Sequence, residues 1–433
     1  MIWGDRKLST TIVRESLKNH YPYLPHNLER KNKMAKKTIK GQPKLPKTKK
    51  KATIQTNSSS TNPTRMIIDA LKASYEFRLN KGNQKMEFRL LGSKHKFRDL
   101  TDTDFNSIKV ELNLKDIPCS KETLRGIIYS NQWQQYDPYI EFLNNLPVWD
   151  KHDHIADLAD TVKTDDDKYW CWCLKKWIVA LVGSLANEDT VNQTAIIFCG
   201  TQGIGKSTWF RRLLPPELKK YYSSGFLDPK DKETLVQLSE LCLFNMDEVE
   251  NLKPKNVEAI KELITKSSMY LRRAYTTLSE NYPRRCSFCG TANGTEILHD
   301  ITGNRRFLCQ NVLSIDYQLN GINLYQLYAQ AYHLYKNGFQ YWLDDKEQVA
   351  VEIQNSRFRS MSLEEQLITT YYDVCKDGDP GSKRMQSHKI QAELQAKASC
   401  GKLNHIVIGK ILSAKGFAHI KSNGISMWVV KDK

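Results

Sequence analysis

Thr194-Ala-Ile-Ile-Phe-Cys199-Gly200-Thr-Gln-Gly203-Ile204-Gly205-Lys206-Ser207-Thr208-Trp-Phe-Arg-Arg-Leu-Leu214 decides how the chain is read. An apolar run fit for a buried strand enters a loop of the form G-x-x-x-x-G-K-[ST], and a helical pattern leaves it. Glycines let the backbone curl so that its N–H groups face an anion, and the helix N-terminus adds positive potential. In such a phosphate loop Lys206 reaches the β- and γ-phosphates of a nucleotide and Ser207 ligates Mg²⁺. Gly200, Gly203, Ile204, Gly205, Lys206, Ser207 and Thr208 are therefore the candidate ATP contacts.

Working outward, the segment from Val191 to about Leu313 has an α/β rhythm. Strand-like runs at Thr194–Cys199, Leu241–Met246 and Cys286–Gly290 alternate with helical patterns at Ser207–Leu214, Lys232–Glu240 and Asn256–Lys266. That alternation predicts a parallel sheet covered on both faces. The second run ends in Asp247-Glu248, 41 residues after Lys206. Asp247 at a strand end suits the Mg²⁺ shell, and Glu248 suits polarisation of an attacking water. The third run leads to Asn293, whose amide can bond both a γ-phosphate and a lytic water. Asp300-Ile-Thr-Gly-Asn-Arg305-Arg306-Phe307 follows. The arginine pair is either a finger reaching a neighbouring subunit's γ-phosphate or a surface ion pair.

These motifs, in this order, resemble the virulence-associated protein E family, which belongs with the superfamily 3 helicases and poxvirus-type primase-helicases of the AAA+ class. The 87 residues from Lys206 to Asn293 suit that superfamily. Tyr136-Asp-Pro-Tyr-Ile-Glu-Phe-Leu-Asn-Asn-Leu-Pro-Val-Trp149-Asp150 resembles the family's segment ahead of the ATPase, and His154 departs from it where arginine is common. The resemblance spans about 66–433 and is strongest over 191–308. It implies a hexameric ring that hydrolyses ATP between subunits and draws DNA through its pore during replication of a phage or other mobile element. It further implies a basic hairpin facing the pore. Met269-Tyr-Leu-Arg272-Arg273-Ala-Tyr275 and Tyr282-Pro-Arg284-Arg285 supply cations interleaved with aromatics for that role. Nucleotide sensing or subunit pairing are the other readings of Arg272, Arg273, Arg284 and Arg285. An AAA+ remodelling or regulatory ATPase without unwinding stands as the alternative function. A nucleotide-dependent DNA-binding protein with little turnover is opposed by Asp247-Glu248 and Asn293.

The expected fold is thus an α/β P-loop core of the AAA+/superfamily 3 type over 191–315. An α+β and helical N-terminal domain covers 66–190, a helical lid or connector 316–361, and a winged-helix-like domain 362–433. In the N-terminal part, Tyr75–Arg89 alternates around Lys81-Gly82-Asn83 as a hairpin, and helices are predicted at Asp102–Leu112, Ser120–Tyr129 and Asp165–Ala186. Helices at Ile322–Lys336 and Asp345–Asn355 follow the core, with Gly338 as a stop. Ser362-Leu-Glu-Glu365 reads as a capping box. His388–Ala398 and Asn404–Ala414 read as helices and Ala418–Lys431 as a wing. Lys410, Lys415 and Lys421 are then available for DNA phosphates if the wing-bearing segment binds DNA rather than protein.

Charge and composition bound these readings. The 433 residues carry a formal net charge of +17, but Arg30–Lys51 alone holds 11 Lys and Arg and no acid, leaving +6 on the remainder. With residues 1–65 it reads as a basic arm and linker. No apolar run approaches a bilayer span, since Trp170–Ala186 is broken by Lys175 and Lys176. The first ten residues lack a signal-peptide core. Ten scattered cysteines favour a reducing cytoplasm over a disulfide framework. Cys286-x-x-Cys289 and Cys171-Trp-Cys173 read as buried thiols. His152 and His154 read as solvated, and Tyr325, Tyr328, Tyr332 and Tyr335 as helix packing. No primase signature stands in 1–190, so the need for a separate primase is open.

Overall fold

The computed structural model describes residues 62–252, 254–273, 278–298, 303–399, 401–422 and 424–433. The basic Arg30–Lys51 stretch, Tyr275 and Asp300 lie outside them. Within them the chain is a mixed α/β protein with four separate sheets.

Asn62 accepts the Thr64 N–H at 3.0 Å and Pro63 takes the first turn, so helix α1 (Pro63–Ser74) starts inside the stretch expected to be linker. The hairpin follows as β1 (Tyr75–Asn80) and β2 (Lys85–Leu90), paired antiparallel from Tyr75↔Leu90 to Asn80↔Lys85. The short β3 (Arg98–Asp99) pairs antiparallel with β2. Helices α2 (Asp102–Leu114) and α3 (Lys121–Ile128) are capped by Thr101 and Ser120. β4 (Gln134–Tyr136) returns parallel to β1.

Helices α4 (Pro138–Asn144) and α5 (His154–Asp160) and strand β5 (Val162–Thr164) lead to α6 (Asp167–Ala186). Thirteen of the 20 residues of α6 are buried, so it carries no polar face and serves as the pillar of the largest core. Lys176, which interrupts its apolar run, is buried there as well. Its ammonium donates to the Gln340 and Trp342 carbonyls and pairs with Glu347. No helix among the described residues is long and apolar enough to cross a membrane.

The central sheet has the order β5-β12-β6-β11-β8-β7. Its strands are β6 (Ala195–Cys199), β7 (Tyr222–Gly225), β8 (Leu243–Met246), β11 (Ser287–Ala292) and β12 (Phe307–Ile315), all parallel, with β5 antiparallel at one edge. Helices α7 (Lys206–Arg212), α8 (Lys232–Leu238) and α9 (Pro254–Thr265) connect them, and β9 (Ser268–Leu271) pairs with β10 (Glu280–Pro283) as a separate hairpin. Side-chain parity divides the core. Ile196, Phe198, Cys289 and Leu308 pack on the face that holds α6, and Ala195, Ile197, Cys199, Cys286, Phe307 and Cys309 on the other. Cys286 and Cys289 therefore point to opposite faces, which agrees with reading them as buried thiols.

Helices α10 (Leu324–Lys336) and α11 (Asp345–Asn355) follow, then α12 (Leu363–Tyr371), β13 (Tyr372–Val374), β14 (Ser382–Met385), α13 (Ser387–Ala398), α14 (His405–Ala414), β15 (His419–Ser422) and β16 (Ile425–Asp432). β16 pairs antiparallel with β15, β14 and β13 around its own small core. The capping box at α12 is only half formed. Ser362 accepts the Glu365 N–H, but the Glu365 carboxylate is buried against Arg359 and Lys415 instead.

Candidate functional site

β6 ends at Cys199, β8 at Met246 and β11 at Ala292, and the register pairs Ala292 with Cys199 and Gly290 with Met246. The glycine-rich loop, Asp247 and Asn293 thus share one edge of the sheet, at the carboxyl ends of its parallel strands, where such sheets form ligand crevices. β11 lies between β6 and β8, so the loop and Asp247 face each other across one strand.

Two glycines in the loop are required by space as well as by φ. Gly200 has φ 145°, and a Cβ there would stand 2.6 Å from the Val312 carbonyl oxygen of β12. Gly205 has φ 97°, and its Cβ would strike the Tyr317 ring at 2.4 Å. Lys206 opens α7, yet its ammonium folds back to donate to the Gly200 and Thr201 carbonyls at 2.7 and 2.8 Å. Burial lowers its pKa below the ordinary lysine value, opposed by Cys199 and Glu250.

Ser207 Oγ donates to Asp247 Oδ1 at 3.1 Å. Asn245 Nδ2 and Thr291 Oγ1 donate to the same oxygen at 2.6 and 3.3 Å, leaving Oδ2 uncommitted among the described residues. A hydroxyl and a carboxylate in contact are donors that a hard divalent cation takes. Glu248 is exposed and left-handed at φ 55°, and accepts from Asn251 Nδ2 at 3.0 Å. The Asn293 side chain is exposed on the same edge of the sheet, past the end of β11.

Sequence reasoning missed three members of this edge. Asn245 and Thr291 orient Asp247. Glu250 accepts the Asn293 N–H at 3.0 Å through Oε1, buries Oε2 without a hydrogen bond, and stands within electrostatic reach of Lys206. Asp247-Glu248-Val-Glu250 held the signal, since the two carboxylates after Asp247 are equally polar in sequence and only the turn decides which faces inward.

Arg305 and Arg306 lie elsewhere. They precede Phe307, which pairs with Ala195 at the entry end of β6, so they sit a full strand from the glycine-rich loop of their own chain. Arg305 is exposed, and both line a polar cavity of about 420 Å³ with Asp189, Gln193, Thr194 and Trp342.

The basic hairpin forms as β9 and β10, but three of its four arginines are engaged inside the protein. Arg273 pairs with Glu240 at 2.6 Å, donates to Ser239 Oγ at 2.8 Å and lies over the Tyr282 ring. Arg284, 1% exposed, donates to the carbonyls of Ile264 and Lys266 at the end of α9 and to those of Asn192 and Cys286. Arg285 donates to the Ser184 and Leu185 carbonyls at the end of α6 and pairs with Asp137. Adjacent arginines therefore cap two different helices, a use for which carbonyl-rich helix ends are suited. Neither Arg284 nor Arg285 is available to DNA; Arg272 is exposed. In the C-terminal segment Lys410 and Lys421 are exposed, whereas Lys415 is held by Glu365 at 3.1 Å.

The virulence-associated protein E-like domain matches residues 143–360, half of the chain, including the glycine-rich loop, Asp247, Asn293 and the arginine pair. The chain belongs to the virulence-associated protein E-like family. The hairpin β9–β10 also falls inside the matched region. No curated protein matches the chain. Among solved structures, the apo structure of the NrS-1 C-terminal region is similar at 13% identity and TM-score 0.47, covering 87% of this chain and 100% of that one. An A-form apo structure of the same region gives 12% identity and TM-score 0.47 over 86% and 100%.

Proposed function

We propose that this virulence-associated protein E-like chain is an ATP-dependent DNA helicase or replication initiator of a phage or other mobile element. The observation that carries the reading is the contact of Ser207 with Asp247 beside the glycine-rich loop that holds Lys206. The loop is a P-loop, the 191–315 core an AAA+/superfamily 3 ATPase, and the ligand ATP with Mg²⁺. The donor set fits the ion, because Ser207 and Asp247 supply the hard oxygens that Mg²⁺ takes and Asn245 and Thr291 fix the carboxylate's direction. Lys206 exchanges the loop carbonyls for phosphate oxygens when nucleotide enters. Glu248, exposed at the site's rim, orients water, and Asn293 contacts the γ-phosphate.

Arg305 and Arg306 stand too far from their own loop to serve it, which supports action in trans at the interface of a hexameric ring. Arg272, Lys410 and Lys421 remain as DNA contacts, the last two on a winged-helix-like C-terminal domain. One observation favours a second reading: among the described residues Arg273, Arg284, Arg285 and Lys415 are engaged internally, which leaves fewer of the expected DNA contacts, as suits a remodelling or regulatory ATPase that does not unwind. ATP hydrolysis measured with and without single-stranded DNA, together with forked-duplex unwinding, separates the two. Stimulation with unwinding is expected; hydrolysis indifferent to DNA overturns the helicase reading.

A further inference from the structure

His152 and His154, which read from the sequence as solvated, lie outside the ATP site together with Asp157. In the structure their ligand atoms all fall within 4.8 Å of one another. His152 Nε2 is 2.6 Å from Asp157 Oδ2, and His154 Nδ1 is 3.8 Å from the same oxygen. Donors bound to one tetrahedral ion at about 2.0–2.2 Å are separated by roughly 3.3 Å, so small side-chain shifts bring all three into a single coordination sphere.

We infer that His152, His154 and Asp157 bind one divalent transition-metal ion of the zinc class, with a further coordination position open to solvent. Two imidazoles and one carboxylate are the donor types such ions take. His154 Nε2 meets both oxygens of Asp150 at 3.0 and 3.1 Å, which assigns the proton to Nε2 and turns the Nδ1 lone pair toward Asp157. A carboxylate behind a ligating imidazole is the outer-sphere arrangement that fixes ring orientation at metal sites.

The scaffold is held before any ion arrives. Asp150 also accepts the His152 N–H at 2.9 Å, and Trp149 Nε1 donates to the His152 carbonyl at 2.7 Å. Asp153 caps α5 and accepts from Gln330 Nε2 at 2.7 Å, while the Asp150 N–H donates to Gln326 Oε1 at 3.2 Å. Gln326 and Gln330 lie on α10, so the ion clamps the turn ahead of α5 where that turn rests on α10. The competing reading is a cluster of His–Asp ion pairs with no ion, of the kind that contributes little at a surface.

The test titrates untagged, chelator-stripped full-length protein with Co²⁺, followed by visible absorption, and with Zn²⁺, followed by calorimetry. One equivalent per chain is expected, with cobalt d–d bands and a raised thermal midpoint. His152→Ala, at an exposed position, and Asp157→Asn, at a half-buried one, are expected to weaken binding at least tenfold, and Asp150→Asn about 10–100-fold. Absence of saturable binding overturns the proposal. So does wild-type affinity in both ligand variants, or a thiolate-to-cobalt charge-transfer band, which places the ion on cysteines.

Discussion

Ser207 Oγ and Asp247 Oδ1 are in hydrogen-bond contact at 3.1 Å although 40 positions separate them and β11 lies between β6 and β8, the strands that lead to them. The contact exists because a strand inserted between β6 and β8 sets the loop and the acidic strand end at facing positions of one crevice. Asp247→Asn is expected to lower ATP turnover by about 10²-fold or more while Mg²⁺-free nucleotide binding survives. Phosphate release and a fluorescent-nucleotide titration check both halves, and unchanged turnover removes Asp247 from the metal shell.

Lys206→Ala is expected to abolish ATP binding. Glu248→Gln should keep binding and lose hydrolysis. Glu250→Gln should lower kcat about tenfold with KM nearly unchanged, because Glu250 positions the Asn293 backbone and biases Lys206 without touching substrate. Steady-state kinetics distinguish the three; if Glu250→Gln loses more turnover than Glu248→Gln, the two glutamates exchange roles.

Mixed rings test the arginine pair. Arg305→Ala/Arg306→Ala subunits combined with Lys206→Ala subunits should recover part of the ATPase activity that each lacks alone. No recovery with oligomers intact on a sizing column points to a different arginine.

Replacement of Arg284 by Ala leaves four carbonyls short of a donor and should cost roughly 3 kcal/mol. Arg272→Ala should leave stability within about 0.5 kcal/mol and weaken single-stranded DNA binding with a shallower salt dependence. Urea midpoints and fluorescence anisotropy at two salt concentrations give the answer. A stable Arg284→Ala protein that has lost DNA affinity contradicts the helix-capping assignment.

Glu87 provides a pH handle. Burial alone raises its pKa, but hydrogen bonds from Lys220, Tyr136 and Asn80 and the Lys220 charge outweigh that and hold it at about 2, against 4.5 ordinarily. A depressed carboxylate contributes its stability above the unfolded value and loses it as pH falls through the folded one. About 3 kcal/mol should therefore disappear between pH 4.5 and 2, and Glu87→Gln should lack that component. Equal urea midpoints lost by both proteins over that range would remove Glu87 from the acid transition.

The residues that carry local signals were legible. Alternation around Lys81-Gly82-Asn83 gave the hairpin, and the glycine spacing with an apolar strand before it gave β6, the loop and α7. Less legible were β7, whose Tyr-Ser-Ser-Gly carries no apolar pattern, and β12, where Gln310 and Asn311 interrupt an apolar run. Their place comes from pairing with strands far away in sequence. Arg284 and Arg285 misled for a related reason. A cation reads as solvent-facing unless something compensates its burial, and here the compensating carbonyls come from residues up to 101 positions distant.

β12 has a mechanical consequence. At one end the Val312 carbonyl presses against Gly200, with no room for even a methyl group, and at the other the strand emerges from Arg305 and Arg306. A stiff rod of backbone thus joins the floor of one loop to the cations that leave the opposite side of the sheet. In the ring proposed above, that backbone links the loop that would hold one copy's nucleotide to the arginines that would serve the next copy.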